Sequence, residues 1–116
     1  MKDYKIEVEI EGKKYSMVFN LNVMQDIQKK YGTIQKWGDL LERKNQEPDI
    51  ESLIFGFGLM INEGIDINNE ENNLEEKLLT EKQVGRLITK MGVANATSKL
   101  KNAVVEGTKE DKPKNE

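Results

Sequence analysis

The chain changes its hydrophobic pattern near residue 21. Over residues 4–21, apolar and polar positions alternate, which is the period of a half-buried β-strand. Gly12 and Lys13 interrupt the alternation, and a two-residue loop with glycine first is typical of a type II′ turn. This turn predicts a hairpin with one apolar face, on which the pairs are Tyr4–Leu21, Ile6–Phe19, Val8–Met17 and Ile10–Tyr15. An isolated hairpin is only marginally stable in water, so we expect helices to cover this face.

From residue 22 onward, apolar positions recur at helical spacing. Capping residues divide this region into about five predicted helices. The first runs over residues 22–31, capped by Asn22 and stopped by Gly32, and the second runs from Thr33 to the loop at 45–48. The third begins at Pro48 or Asp49 and ends at Gly64, the fourth runs from Thr80 to Gly92, and the fifth covers residues 94–106. The clearest local signal is the capping box of Thr80 and Gln83, with Leu79 and Val84 as the hydrophobic staple around it.

Two segments lack a helical pattern. Residues 65–76 are rich in Asn and acidic side chains and are predicted to form a loop. Residues 107–116 are polar, contain proline and are predicted to be a disordered tail. The sequence therefore predicts one domain over residues 1–106, of the α+β class and mainly α, in which the hairpin (4–21) packs against the helical residues 22–106.

The stretch 50–61 is apolar almost all the way round a helix. One broad face carries Ile50, Leu53, Ile54, Phe57, Met60 and Ile61. Phe55 and Leu59, four residues apart, fall on the opposite side. A surface helix needs only the first face. The second face predicts either that this helix is central to the fold or that Phe55 and Leu59 are kept for a partner, and the sequence leaves both open.

The amino-acid composition argues against most catalytic and metal-binding functions. The chain has 116 residues, no Cys and no His, so disulfides, thiolate metal sites and a cysteine nucleophile are excluded. The acid pairs Glu7/Glu9, Glu70/Glu71 and Glu75/Glu76 are expected on solvent-facing positions, without the cleft that a two-carboxylate mechanism needs. Residues 66–72 alternate oxygen ligands but lack the glycine and the final glutamate of a calcium loop. We expect neither an enzyme nor a cofactor.

The net charge and the hydropathy of the chain limit the classes of partner that we expect. The net charge is −3, which gives no reason to expect nucleic acid or an anionic membrane. The amino terminus lacks the apolar core of a signal peptide, and no run approaches a membrane span, so a cytoplasmic protein is expected. The charge is uneven: residues 62–81 hold seven acids and one lysine (−6), whereas residues 82–116 hold eight bases and four acids (+4).

DNA binding is the alternative function. The last two predicted helices, joined at Gly92, could form a helix-turn-helix that carries Lys90, Lys99 and Lys101. The second of these helices contains no Arg and no aromatic residue, and its bases are few beside a footprint that neutralises many phosphates. Failure of duplex DNA to be retained in a low-salt mobility-shift assay would remove this alternative.

Protein binding remains. Phe55 and Leu59 are candidates because they lie off the main apolar face. Trp37 is the third candidate because Trp is enriched in interface hot spots, although with one Trp and few other aromatics core packing also accounts for it.

The order of segments resembles a known family. The sequence YSMVFNLNVMQDIQKKYG at residues 15–32 carries an F-x-L-N-x-M pattern at the start of a helix. A helix with Trp37, an apolar helix after Pro48 and the segment LLTEKQVGRLI at residues 78–88 follow. Over residues 4–106 this resembles the tail assembly chaperones of long-tailed bacteriophages and of prophages in low-GC Gram-positive bacteria.

The resemblance implies a specific function. Such proteins are small, largely helical and non-enzymatic; they coat the aggregation-prone tape-measure protein and help to recruit tail-tube subunits around it. They act in the host cytoplasm, are absent from the finished particle and commonly also occur as a longer frameshifted form, to which residues 107–116 would be the linker. Exposed apolar patches of the kind such a chaperone needs also favour self-association, so a homo-oligomer is a further expectation.

Overall fold

The computed structural model describes residues 5–109. Two strands precede five helices, and their bounds are β1 (Lys5–Ile10), β2 (Lys13–Val18), α1 (Leu21–Tyr31), α2 (Ile34–Leu41), α3 (Ile50–Asn72), α4 (Glu81–Met91) and α5 (Val93–Thr108). An antiparallel hairpin packed against helices confirms the predicted α+β, mainly α-helical class. The predicted pair Tyr4–Leu21 and residues 110–116 of the predicted tail lie outside the described residues.

The hairpin turn differs from the prediction. Its two loop residues are Glu11 and Gly12, with φ values of 51° and 82°. Two positive φ values are what a type I′ turn requires, and glycine meets this at the second position. Val8 therefore pairs with Tyr15 instead of Met17, and the predicted pairs within the described hairpin are two residues out of register. Because a slip of two residues preserves the alternation, Ile6, Val8, Ile10, Tyr15 and Met17 still share the face that packs on the core. Leu21, also predicted for this face, instead begins α1 and is 65% exposed.

The start of α1 also differs from the prediction. Asn20, not Asn22, is the N-cap, and its Oδ1 accepts a hydrogen bond from the backbone N–H of Val23 at 3.3 Å. Asn22 lies inside the helix, where its side-chain amide donates to Glu63 at 3.0 Å. Both asparagines have the right chemistry for a cap. The earlier one is used because the chain turns into the helix two residues after β2 ends.

Other helix ends follow the sequence. Thr33 accepts from the N–H of Lys36 at 3.0 Å and caps α2. At α4 the predicted capping box is confirmed: Gln83 accepts from the N–H of Thr80 at 2.8 Å, and Thr80 accepts from the N–H of Gln83 at 3.2 Å.

Helix α3 is the centre of the molecule and is longer than predicted. It continues past Gly64 to Asn72 and ends at Asn73, which is left-handed with φ 55°. Gly64 is therefore not a stop. A Cβ at this position would lie 1.9 Å from the carbonyl oxygen of Ser16, so the glycine lets α3 cross the backbone of β2. Residues 65–72 of the predicted loop 65–76 are therefore helical, and the non-helical connection to α4 is residues 73–80.

Helix α5 also has a glycine near its end that allows close contact with the backbone of the hairpin region. Gly107 and Thr108, which the sequence predicts to begin the disordered tail, belong to the helix. A Cβ on the buried Gly107 would lie 2.0 Å from the carbonyl oxygen of Phe19. Close packing on the end of the hairpin therefore extends α5 into a sequence that looks polar and flexible.

The core joins one face of the hairpin to all five helices. Of the six-residue face of α3, Leu53, Phe57, Met60 and Ile61 are buried, whereas Ile54 is half-buried and Ile50 is exposed. The other buried apolar side chains, beside Val18, are Val8, Ile10, Met17, Phe19, Val23, Ile27, Trp37, Leu41, Val84, Ile88, Ala96, Leu100 and Ala103.

The N-cap of α3 predicts a pH dependence of stability. The Asp49 carboxylate accepts hydrogen bonds from Ser52 Oγ at 2.6 Å and from the Ser52 N–H at 3.1 Å. These bonds, the hydroxyl one first, hold the pKa of Asp49 below its ordinary 3.8. A carboxyl whose pKa is lower in the folded state stabilises that state above its unfolded pKa, and this contribution is lost as pH falls through the folded pKa.

Asp49→Asn removes the ionisable group and keeps a capping oxygen. We expect the variant to be less stable than the wild type at neutral pH and the difference to shrink as the pH falls below 3.8 and through the lowered pKa of the folded state, by the linkage just described. Thermal melts of both proteins between neutral and acid pH measure it. A difference in melting temperature that stays constant down to acid pH would contradict the assignment.

Candidate partner-binding surfaces

Trp37 lies in the core. It is 2% exposed, and its ring stacks on Phe19 with centroids 6.5 Å apart and planes 11° apart. Its Nε1–H donates to the carbonyl oxygen of Ser52 at 3.1 Å. The ring also rests on the backbone of α3 at Gly56, where a Cβ would lie 2.3 Å from the indole. This burial does not fit the partner contact expected for Trp37, because almost no surface of the ring is accessible.

Phe55 and Leu59 are half-buried and pack against the core. The ring of Phe55 meets Tyr31 of α1 edge-on, with centroids 5.8 Å apart, and the Nζ of Lys30 lies 4.4 Å from its centroid. Helix α1 thus covers part of the second apolar side of α3, at Phe55. Phe55→Asp or Leu59→Asp would place a charge in this packing, so neither variant separates binding from folding.

A groove with a mainly apolar lining lies between α2 and α5. Its volume is about 240 Å³. Its apolar lining consists of Ile34, Trp37, Gly38, Leu41, Leu100, Val104 and Val105, and Glu42 and Lys101 complete the rim. Val105 is 55% exposed. We call this depression the α2–α5 groove.

The rim of the α2–α5 groove carries no uncompensated charge. Lys101 Nζ lies 2.8 Å from Glu42 Oε1, so the two charged residues pair with each other. An apolar channel between two helices is the surface that accepts the apolar face of an amphipathic helix. Sequence periodicity does not reveal the groove, because it depends on how α2 and α5 lie beside each other.

A second depression has a charged rim. It is formed by α3, α4 and the start of α5 and has a volume of about 360 Å³. Its lining is Ile50, Ile54, Lys82, Gly85, Arg86, Ile88, Thr89 and Val93. Ile50 and Val93 are 44% and 39% exposed. Within residues 5–109 neither Lys82 nor Arg86 has an ion-pair partner. We call this depression the basic-rimmed groove.

Residues 73–80 form a strap that two asparagines of α3 hold. Asn62 accepts from the N–H of Leu79 at 2.8 Å and donates to its carbonyl oxygen at 3.0 Å. Asn69 binds the N–H and carbonyl of Glu76 in the same way, at 3.1 and 2.9 Å. Seven helical residues rise about 10.5 Å and three extended residues span about 10 Å. The strap therefore runs extended and antiparallel to α3.

The clamps are a surface feature that sequence reasoning missed. The available signal was two asparagines seven residues apart, which places them on one face of a helix. It was hidden because residues 65–76 were predicted to form a loop. The strap presents Leu74 and Leu78, which are 46% and 51% exposed.

One cleft on the described surface has a mostly polar lining. The cleft, of about 350 Å³, is lined by Leu21, Ile67 and the polar residues Asn20, Asn22, Glu63, Asp66 and Glu70. In it the Glu63 carboxylate accepts from Asn20 at 2.7 Å and from Asn22. No group of three or more acidic residues in the described part of the chain is arranged to hold a metal ion.

The lysines of the helix-turn-helix alternative are mostly engaged. Lys90 pairs with Glu11 at 2.9 Å, and Lys101 pairs with Glu42 across the α2–α5 groove. Of the three lysines, only Lys99 has no ion-pair partner within residues 5–109. DNA binding stays an untested prediction that this arrangement does not favour.

Comparisons with known proteins add no relative. A scan against protein-family models, a search of curated proteins and a search of solved structures each found no match to the chain. Across residues 5–109, no helix has the length and apolar character needed to cross a membrane.

Proposed function

We propose that the protein is a tail assembly chaperone of a long-tailed phage or prophage, which binds the helical tape-measure protein in the α2–α5 groove. The order of segments in the sequence resembles this family, and the groove is the observation that carries the proposal. Its floor is apolar and its two rim charges cancel, as the apolar face of a client helix requires. The protein would act in the host cytoplasm, without catalysis or a cofactor, and leave before the particle is complete.

The acidic segment fits the same role. A chaperone for an apolar client must remain soluble while it holds that client. Residues 62–81 carry a net charge of −6, and most of them after residue 69 are exposed. Like charges on neighbouring complexes repel one another and oppose aggregation. Recruitment of tail-tube subunits belongs to this proposal through the resemblance alone.

Co-expression tests the proposal. A fragment of the tape-measure protein from the same phage or prophage is expressed alone, with this protein, or with an unrelated folded protein of similar size and charge. We expect the soluble fraction of the fragment to rise several-fold only with this protein and the two to purify together. A fragment that stays insoluble, or that the unrelated protein rescues equally, would contradict the function.

A further inference from the structure

Two helical glycines are not explained by packing inside the molecule. Of the six glycines inside the described helices, four would bring an added Cβ to 3.3 Å or less from another atom, and these are Gly56, Gly58, Gly64 and Gly107. At Gly85 the nearest atom would be Ile54 Cδ1, at an ordinary 3.6 Å, and at Gly38 no atom lies within 4 Å. Glycine destabilises a helix interior relative to alanine. At these two positions it therefore costs helix stability without allowing a closer contact within the molecule.

Both of these glycines line a groove. Gly38 belongs to the lining of the α2–α5 groove, and Gly85 belongs to the lining of the basic-rimmed groove. A side chain at either position would occupy space that glycine leaves open. The loss of helix stability at Gly85 therefore keeps the basic-rimmed groove accessible.

The basic-rimmed groove has cations at its rim and no acid in its lining. Within residues 5–109, the charged residues of the lining are Lys82 and Arg86, and neither has an ion-pair partner. The acids nearest to the groove along α3 and α4, Glu51 and Glu81, are not part of the lining, and Glu51 pairs with Lys30 at 3.2 Å. A basic rim around an apolar floor favours an apolar partner that carries acidic residues and disfavours a basic one.

The spacing of the two cations matches a helical partner. The groove runs between helices, and an apolar channel of this kind accepts the apolar face of an amphipathic helix. Lys82 and Arg86 are four residues apart, which is about 6 Å along α4. Two acids four residues apart on a partner helix have the same separation. The exposed side chains of Ile50 and Val93 provide apolar surface beside them.

We propose that the basic-rimmed groove is a docking site for an acidic amphipathic helix of another protein. The apolar stripe of that helix packs on Ile50, Ile54 and Val93, and two of its acids, four residues apart, pair with Lys82 and Arg86. The linings of this groove and of the α2–α5 groove share no residue. The inference therefore does not rest on the proposed function.

Peptide binding tests the charge complementarity. The probe is a fluorescein-labelled, amidated helical peptide of about 16 residues, with leucines at i, i+3, i+4 and i+7 spacing and glutamates flanking them. A matched peptide has lysines in place of the glutamates. Each exposed ion pair changes an affinity by up to about fivefold, and like charges oppose binding. Fluorescence anisotropy should therefore show the glutamate peptide binding at least about tenfold more tightly than the lysine peptide.

Charge reversal locates this preference. Lys82→Glu with Arg86→Glu should reverse the order of the two peptides. Lys29→Glu with Lys36→Glu changes the net charge equally at exposed positions outside both grooves and should keep the wild-type order. The ionic strength is about 0.15 M, at which charges more than about 8 Å apart are largely screened. Equal binding of the two peptides to the wild type, or an order that the groove variant does not change, would overturn the proposal.

Filling each groove separates the two sites. Gly85→Leu places a side chain in the basic-rimmed groove and should weaken binding of the glutamate peptide at least about tenfold. Gly38→Leu places the same side chain in the α2–α5 groove and should leave the affinity within about twofold of the wild type. The opposite pattern would place the peptide in the α2–α5 groove and contradict the proposal.

Two further outcomes would also reject it. Gly85→Ala should melt about 2–4 °C above the wild type, because its Cβ has room and alanine is the better helix former. A lower melting temperature would show that packing requires this glycine. Displacement of the peptide by duplex DNA, or self-association of the wild type that Lys82→Glu with Arg86→Glu abolishes, would assign the groove to a different occupant.

Discussion

Gly64→Ala should lower the free energy of unfolding by about 3 kcal/mol, even though alanine is the better helix former. Helix propensity alone favours alanine by about 1 kcal/mol in a helix interior. Overpacking costs about 1–3 kcal/mol and occasionally more. Here the added Cβ would lie 1.9 Å from the Ser16 carbonyl oxygen and 2.8 Å from its carbon. These are backbone atoms of β2, so relief requires α3 and the hairpin to separate.

The direction of the change in melting temperature distinguishes the two effects, because helix propensity alone would raise it and the clash with β2 lowers it. At about 4 °C per kcal/mol for a domain of this size, the melting temperature of Gly64→Ala should fall by roughly 10 °C or more. Gly38→Ala is the matched control, because Gly38 also lies inside a helix but no atom stands within 4 Å of its added Cβ. This control should gain about 0.5–1 kcal/mol. A Gly64→Ala protein that melts at or above the wild-type temperature would show that α3 does not cross β2 as described.

Trp37→Ala should cost about 3–5 kcal/mol of stability, as Trp and Phe truncations in cores do. The substitution removes the ring that stacks on Phe19, the hydrogen bond to the Ser52 carbonyl and the contact with the backbone at Gly56. Equilibrium urea unfolding measures the change in the free energy of unfolding, followed by circular dichroism because the only Trp is lost.

Trp37→Phe separates the ring from the hydrogen bond. It keeps an aromatic side chain against Phe19 and loses the Nε1–H donor, whose net contribution is about 1 kcal/mol. We therefore expect a distinctly smaller loss than for alanine. An exposed hot spot would behave differently, because its truncation weakens binding and leaves the unfolding transition nearly unchanged. If Trp37→Ala unfolds with the wild-type free energy, Trp37 is not a core residue and partner binding becomes its expected role again.

The sequence predicted most reliably what local chemistry decides. The capping box at Thr80 and the cap at Thr33 each need only side chains within three residues, and both are confirmed. The buried face of α3 at Leu53, Phe57 and Ile61 follows from helical spacing, because a broad apolar face must be covered.

Wrong predictions arose where a distant element decides the outcome. Gly64 looks like a helix end, but the backbone of β2 passes there and the helix continues. Gly107 looks like the start of a flexible tail, but it packs on Phe19. The predicted strand register was wrong by two residues because Glu11 adopts a positive φ and forms the turn with Gly12. The alternation of apolar and polar residues is compatible with either register.

The candidate surfaces were the least predictable part. Phe55 and Leu59 were selected because they lie off one face of α3, yet both are half-buried and Phe55 packs against Tyr31 of α1. Both grooves are formed by side chains from two or more helices, so their existence depends on how the helices pack. The strap combines an extended segment with two asparagines that lie 17 and 7 residues earlier in the chain.

The most direct test of the α2–α5 groove is the affinity of a tape-measure fragment for three proteins, measured by isothermal titration calorimetry. Val105→Asp places a charge at the edge of the apolar groove, and Leu21→Asp places the same charge at a 65% exposed leucine elsewhere. Losing valine burial and desolvating a carboxylate should weaken binding by at least about tenfold for Val105→Asp, while Leu21→Asp binds like the wild type. Wild-type affinity in Val105→Asp, or an equal loss in Leu21→Asp, would contradict the account.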